Sequence, residues 1–223
     1  AWGIQPDRIS VIENVIRPSS GPMIPPRPRT EQRRVLRIGF FGQISKLKGI
    51  NVVFDAARIL EREDKTSISF DIHGEYRSQS PEFQADFLAR LETAGSNVHF
   101  HGPYQNESVD ALMQGVDAVI VPSIWWENSP VVIQEALRNR RPIICSNIGG
   151  MAEKVRDGLD GLHFPVGNPQ ALIATLQELT NRSRRLDAIA ETQAWPVGPD
   201  EVIAAHLVLY KQLQRISADE DVA

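Results

Sequence analysis

From residue 35 to residue 164, short apolar runs of strand length alternate with segments whose apolar residues recur at helical spacing. Runs over residues 35–41 (VLRIGFF), 67–73, 97–101, 117–122, 142–145 and 161–164 read as six strands. Helices are expected between them, over residues 50–63, 81–93, 106–114, 130–139 and 149–158. In the first of these Val53, Ala56, Ala57 and Leu60 share one face. Strict strand–helix alternation predicts an α/β fold, a doubly wound parallel sheet of about six strands covered on both faces. In such sheets ligands bind beyond the carboxyl ends of the strands, near the point where strand order reverses. The unusual loops fall on that edge: residues 42–49, 74–76, 102–105, 123–129 and 147–150.

The flanks differ in character. Residues 8–12 (RISVI) read as a short strand. Pro18, Pro22, Pro25, Pro26 and Pro28 mark a linker, which places a domain boundary before about residue 33. Residues 1–32 are then a linker segment and residues 33–198 one domain. After the sixth strand, Asn168-Pro169 caps a helix to about residue 179, another spans residues 183–191, and Trp195-Pro196 makes a break. A last helix over residues 199–217 carries Ile203, Leu207, Tyr210, Leu213 and Ile216 at helical spacing, and the acidic residues 218–223 are expected to fray.

Charge and composition exclude several functions. The 223 residues carry a net charge of −4, which argues against a nucleic-acid partner. The one cysteine, Cys145, lies in an apolar strand, so no intrachain disulfide forms and a reducing, cytoplasmic setting is expected. No apolar run approaches the length of a membrane span, and no signal peptide is visible.

Residues 117–150 hold the most informative unit, strand–loop–helix–strand. Ser129-Pro130 reads as N-cap and first helical residue, and Val132, Ile133, Ala136 and Leu137 form one apolar stripe. Glu127 precedes the helix, and Glu135 lies roughly 9 Å along its axis from the cap. Between the two carboxylates lie first-turn amides, which attract anions; Pro130 lacks a donor, whereas Val131 and Val132 keep theirs. A diphosphate there would have one glutamate near each of its substituents, and carboxylates accept hydrogen bonds from sugar hydroxyls. On spacing alone, a solvated Glu127 and a Glu135 on the helix flank are the simpler reading.

Lys48 follows a glycine-containing turn after the first strand, where a cation and free amides suit phosphate; alone it reads equally as a surface lysine at a helix start. The loop is neither a dinucleotide fingerprint nor a P-loop, since the third spaced glycine and the Gly-Lys-Ser/Thr are both missing. His99 and His101 share a strand face without a third ligand, so no metal site is expected. No serine is flanked as a nucleophile elbow. Trp125 and Trp126 read as a sugar-stacking platform or as packing within the loop.

Together these pieces resemble the nucleotide-sugar-binding half of family-four retaining glycosyltransferases, the glycosyl transferases group 1, which have GT-B architecture and a Rossmann-like donor domain. The matching residues are Gly42 with Lys48-Gly49, Gly102, Pro122-Ser123, Glu127-Asn128-Ser129-Pro130, Glu135-Ala136, Pro142, Gly149-Gly150, Glu153, Asp157-Gly158 and Gly161. The resemblance covers about residues 35–180, and it implies roles. Gly42, Gln43 and Lys48 would face the donor diphosphate, with Lys48 as its cation. The backbone at Pro103-Tyr104 would hold the base, and Glu135 the ribose hydroxyls. Glu127, with the amides of residues 129–132 (Ser129, Val131, Val132) and beside Asn128, would hold the transferred sugar and its phosphate. No cofactor or metal is implied, and a UDP-sugar is favoured over a GDP-sugar. Residues 1–17 look like the stretch leaving the acceptor-binding half, to which the last helix would cross back. This chain departs from the pattern at Gln43, often arginine in the family, and at Asn14-Val15, where Asn-Gly is usual.

The resemblance therefore implies a donor-binding domain for retaining hexose transfer, inactive without a preceding acceptor-binding half, and cytoplasmic, with any peripheral membrane contact made through that half. Two alternatives share the residues: a free-standing nucleotide-sugar-binding module and a related sugar-nucleotide epimerase. An oxidoreductase lacks its glycine fingerprint.

Overall fold

A computed structural model of the chain describes residues 3–5, 8–16, 35–63, 67–181, 184–194 and 196–220, the last six as helix backbone only. The chain divides into two units, residues 19–195 and residues 1–18 with 196–223. In the larger unit β1 (Leu36–Gln43), α1 (Ile50–Arg62), β2 (Ile68–Glu75), α2 (Pro81–Glu92), β3 (Val98–Gly102) and α3 (Val109–Gln114) come first. Then follow β4 (Ala118–Val121), α4 (Val131–Arg138), β5 (Ile143–Ser146), α5 (Gly149–Lys154), β6 (Gly161–Phe164), α6 (Pro169–Asn181) and α7 (Arg184–Thr192).

The six strands form one sheet in the order β3-β2-β1-β4-β5-β6, every pair parallel. Strand residues alternate between faces, so each strand feeds two cores. Leu36, Ile38 and Phe40 pack with Val53, Phe54, Ala57 and Leu60 of α1. Phe41, Val119 and Val121 pack with Met113 of α3 and with Ile133 and Ala136 of α4. The alternation in the sequence is thus a parallel, doubly wound α/β sheet.

Local boundaries differ where pairing or capping overrides pattern. Gly42 and Gln43, expected in a loop, continue β1 because they pair with Gly74 and Glu75 of β2. Helix α4 begins one residue later than expected: Pro130 is the N-cap with extended ψ of 117°, and its carbonyl accepts from the Ile133 amide. Helix α5 ends at Lys154, not at residue 158, because buried Val155 turns extended and Arg156 pairs with buried Asp160 at 2.7 Å.

In the smaller unit residues 8–12 form no strand among the described residues, and Ile9 and Val11 are exposed. A lone extended segment has no ladder to hold it. Helix α8 (Pro199–Glu220) includes residues 218–220, which were expected to fray. Its expected apolar positions Ile203, Leu207, Tyr210 and Leu213 are more than half exposed, whereas Val202 is buried. The linker prolines, Trp195 and residues 221–223 lie outside the described residues. No helix among the described residues is long and apolar enough to cross a membrane.

Candidate functional site

Strand order reverses between β1 and β4, and the loops leaving these two strands part at the carboxyl edge of the sheet. A cavity of about 440 Å³ opens there. The two loops are fastened together: the Ile124 amide donates to the Leu47 carbonyl at 2.9 Å. Gly49, at φ +76°, admits no side chain, since a Cβ would lie 1.9 Å from the Pro122 carbonyl oxygen. This close approach carries Lys48 onto the β4 loop. Its Nζ lies 2.8 Å from Glu127 Oε1, and Ser123 Oγ donates to the same oxygen at 2.9 Å. From the opposite side the Gly150 amide donates to the Glu127 carbonyl at 2.6 Å, and a Cβ on Gly150 would lie 2.0 Å from the Asn128 carbonyl oxygen. Gly149-Gly150 is thus the seat on which the Glu127 loop rests.

The far wall comes from α4 and the β3–α3 loop. The N-cap Pro130 has no side chain able to cap α4, and Val131 and Val132 of its first turn both line the cavity. Glu135, four residues after Val131, also borders it. Burial raises the Glu135 pKa; nearby Arg138 opposes the shift and Asp110 adds to it. Arg138 is itself engaged with Asp110, its Nε 3.1 Å from Oδ1. Burial, reinforced by the Glu135 charge, pushes the Tyr104 phenol up to about 12, so it is a neutral donor at physiological pH.

Behind Tyr104 a row of rings crosses the sheet. Phe41 of β1 stacks on His73 of β2 at 4.9 Å, and His73 stacks on His101 of β3 at 4.4 Å; Tyr104 stands edge-on to Phe41 at 6.0 Å. Burial, aided by the charge of His101, lowers the His73 pKa to about 4. His101 Nε2 lies 2.8 Å from Asp71 Oδ1, and Arg37 forks onto both Asp71 oxygens at 3.0 Å. Burial alone would raise the Asp71 pKa; the hydrogen bonds from Arg37 and His101 overcome it, and the net shift is downward.

Of the residues expected at the site, Gly42, Gln43, Lys48, Tyr104, Glu127, Ser129, Pro130, Val131, Val132 and Glu135 border the one cavity. Pro103 and Asn128 do not; both are exposed. Gln43 Nε2 donates to Ser78 Oγ at 3.1 Å. Ser123, Phe41 and Asn106 border the cavity too, and no role was foreseen for them there. Ser123 had a signal, its place directly after a buried strand ending in proline. Asn106, where the helix over residues 106–114 is expected to start, instead opens the 3-10 turn Asn106–Ser108 ahead of α3. Trp125 and Trp126 are both exposed, so neither is buried by the loop. Among the described residues no group of three or more His, Cys, Asp or Glu is placed to hold a metal ion.

The glycosyl transferases group 1 family matches residues 28–194 of this chain. The chain belongs to that family. It is 30% identical over 157 residues to the D-inositol 3-phosphate glycosyltransferase of Corynebacterium urealyticum, covering 69% of this chain and 37% of that protein. It is 31% identical over 176 residues to the glycogen synthase of Mycobacterium tuberculosis, covering 77% and 39%. The chain thus spans about two fifths of the length of these relatives. Among solved structures, Anabaena HepE in complex with UDP and glucose superposes with a TM-score of 0.69 at 20% identity, over 82% of this chain and 49% of that one. The C-terminal domain of a glycosyl transferase group 1 family protein from Francisella tularensis superposes with a TM-score of 0.63 at 20% identity, over 77% and 92%. The fold of this group 1 chain is therefore the Rossmann-like half of a GT-B glycosyltransferase.

Proposed function

We propose that this chain is the donor-binding domain of a retaining glycosyltransferase that takes a nucleotide-diphosphate sugar, UDP-linked in preference to GDP-linked. The observation that carries the reading is the meeting of Lys48, Glu127 and the first turn of α4 in one cavity at the switch point. Lys48 and the amides of Val131 and Val132 supply the positive field a diphosphate needs without a metal ion. Glu135 accepts from the ribose hydroxyls, the backbone around Pro103 and Tyr104 receives the base, and Glu127 faces the transferred hexose. The presence of UDP with HepE supports the nucleotide class.

An acceptor, whether glycan, lipid or small molecule, needs a second wall. In GT-B enzymes that wall belongs to another domain, and positioning across such a cleft contributes about 7–11 kcal/mol of barrier reduction. Residues 1–223 alone therefore hold a donor and transfer nothing at a useful rate. Joined to an acceptor-binding half, the enzyme yields a product with the anomeric configuration of the donor. Anomeric analysis by NMR tests this: an inverted product, or full turnover by residues 1–223 alone, contradicts it.

A further inference from the structure

Glu127 borders the cavity with its Oε1 held by two donors of opposite build, Lys48 Nζ at 2.8 Å and Ser123 Oγ at 2.9 Å. Neither bond falls on Oε2. Lys48 reaches Oε1 on a flexible four-carbon stem, and its side chain is 37% exposed. Ser123 is 1% exposed, and its hydroxyl stands on a pinned backbone. A Cβ on Gly49 would lie 1.9 Å from the Pro122 carbonyl oxygen and 3.3 Å from the Ser123 amide nitrogen. On the other side the Ile124 amide is bound to the Leu47 carbonyl. Both neighbours of Ser123 are thus fixed against the loop between β1 and α1, and its hydroxyl cannot follow a ligand as the ammonium can.

The Glu127 backbone is fixed as well, since the Gly150 amide donates to its carbonyl, so the side chain is the part left to move. A bound diphosphate draws the Lys48 ammonium toward its own oxygens. The carboxylate then loses its cation. Among the described residues, the Ser123 hydroxyl is the side-chain donor that stays with it, in a charge-assisted bond. A carboxylate held on one oxygen by a rigid donor keeps its direction and offers the other oxygen to hydroxyl groups. We propose that Ser123 is a positioning residue for the transferred hexose: it holds Glu127 through Oε1 while Lys48 turns to the donor diphosphate, so that Oε2 meets the sugar hydroxyls. This rests on the reading that places the hexose at Glu127.

The test is calorimetry on the 223-residue chain with UDP, UDP-glucose, UDP-galactose and UDP-N-acetylglucosamine. The readout is the affinity for each sugar nucleotide divided by that for UDP, which cancels effects on the nucleotide and on Lys48. Glu127→Ala should lower this ratio about tenfold or more for at least one sugar. For that sugar Ser123→Ala should lower it about fivefold. Adding Ser123→Ala to Glu127→Ala should lower it no further, because Ser123 acts through Glu127. A ratio that Glu127→Ala lowers and Ser123→Ala leaves in place overturns the role of Ser123 alone. So does an equal loss from Ser123→Ala with and without Glu127. A ratio that Glu127→Ala leaves in place for every sugar overturns the placement of the hexose, and the role of Ser123 with it. Failure of UDP itself to bind would overturn the donor reading, a separate outcome.

Discussion

Two carboxylate–cation pairs, one on the sheet and one in the loops at its carboxyl edge, differ in what surrounds them. Asp71 is 1% exposed and fully engaged, with the Arg37 fork on both oxygens and His101 on one. Glu127 is 14% exposed, and Lys48 and Ser123 both meet its Oε1. The first carboxylate is closed off by protein partners and belongs to the architecture of the β1–β2–β3 face. The second is held by a flexible point charge at the edge of a cavity, so an incoming ligand can exchange partners with it at small cost.

The largest difference should appear in stability. Asp71→Ala takes from the Arg37 fork and His101, which keep solvent access, their shared acceptor and should cost about 1.5–3 kcal/mol in urea unfolding. A loss comparable to that of a surface substitution would dissolve the contrast.

Next comes pH. His73 has its pKa lowered by folding to about 4, so between pH 6.5 and 4 the unfolded chain takes up the proton first. Its contribution is complete above about pH 6.5 and is lost as pH falls, to about 3 kcal/mol near pH 4. His73→Phe keeps a flat ring in the stack and should abolish that part of the loss. An unchanged pH profile would mean that His73 is not a neutral ring between Phe41 and His101. Asp71, its pKa also lowered, adds a further loss at still lower pH, below its unfolded value of about 3.9.

The site pair should respond with smaller effects of another kind. In the empty cavity Glu127 competes with a diphosphate for Lys48. Glu127→Gln should therefore tighten UDP about threefold, the worth of a half-exposed ion pair; weaker UDP binding in calorimetry would show that Glu127 supports the nucleotide instead. Lys48→Ala should change unfolding stability by less than about 1 kcal/mol. A loss as large as that of Asp71→Ala would make the pair structural.

How much of this was legible in the sequence follows from the range of the forces involved. The strands were legible because burial on both faces of the sheet writes a short apolar run into the sequence, as in 36–41 and 118–121. The start of α4 was off by one residue because Ser129-Pro130 satisfies the local rule for a cap, while the observed geometry puts Pro130 itself in that place. The residue types at the site were legible singly, as a lysine after a turn and two glutamates around a helix start. Their meeting was not, since it depends on Gly49 lying against Pro122 and Gly150 against Asn128, contacts 73 and 22 residues apart in the chain. The ring row through Phe41, His73 and His101 was illegible for the same reason: cross-strand register brings it together, and His99 and His101 alone suggested only a shared face.

The central claim is that the Lys48–Glu127 cavity takes a nucleoside diphosphate. Calorimetric titration of UDP into residues 1–223, and into Lys48→Ala, with and without EDTA, tests it most directly. The account predicts one UDP per chain, an affinity that EDTA does not change, and a loss of about tenfold or more in Lys48→Ala, since one charge-assisted hydrogen bond contributes about 1.5–3 kcal/mol. Equal affinity in the two proteins, or binding that EDTA removes, would contradict it.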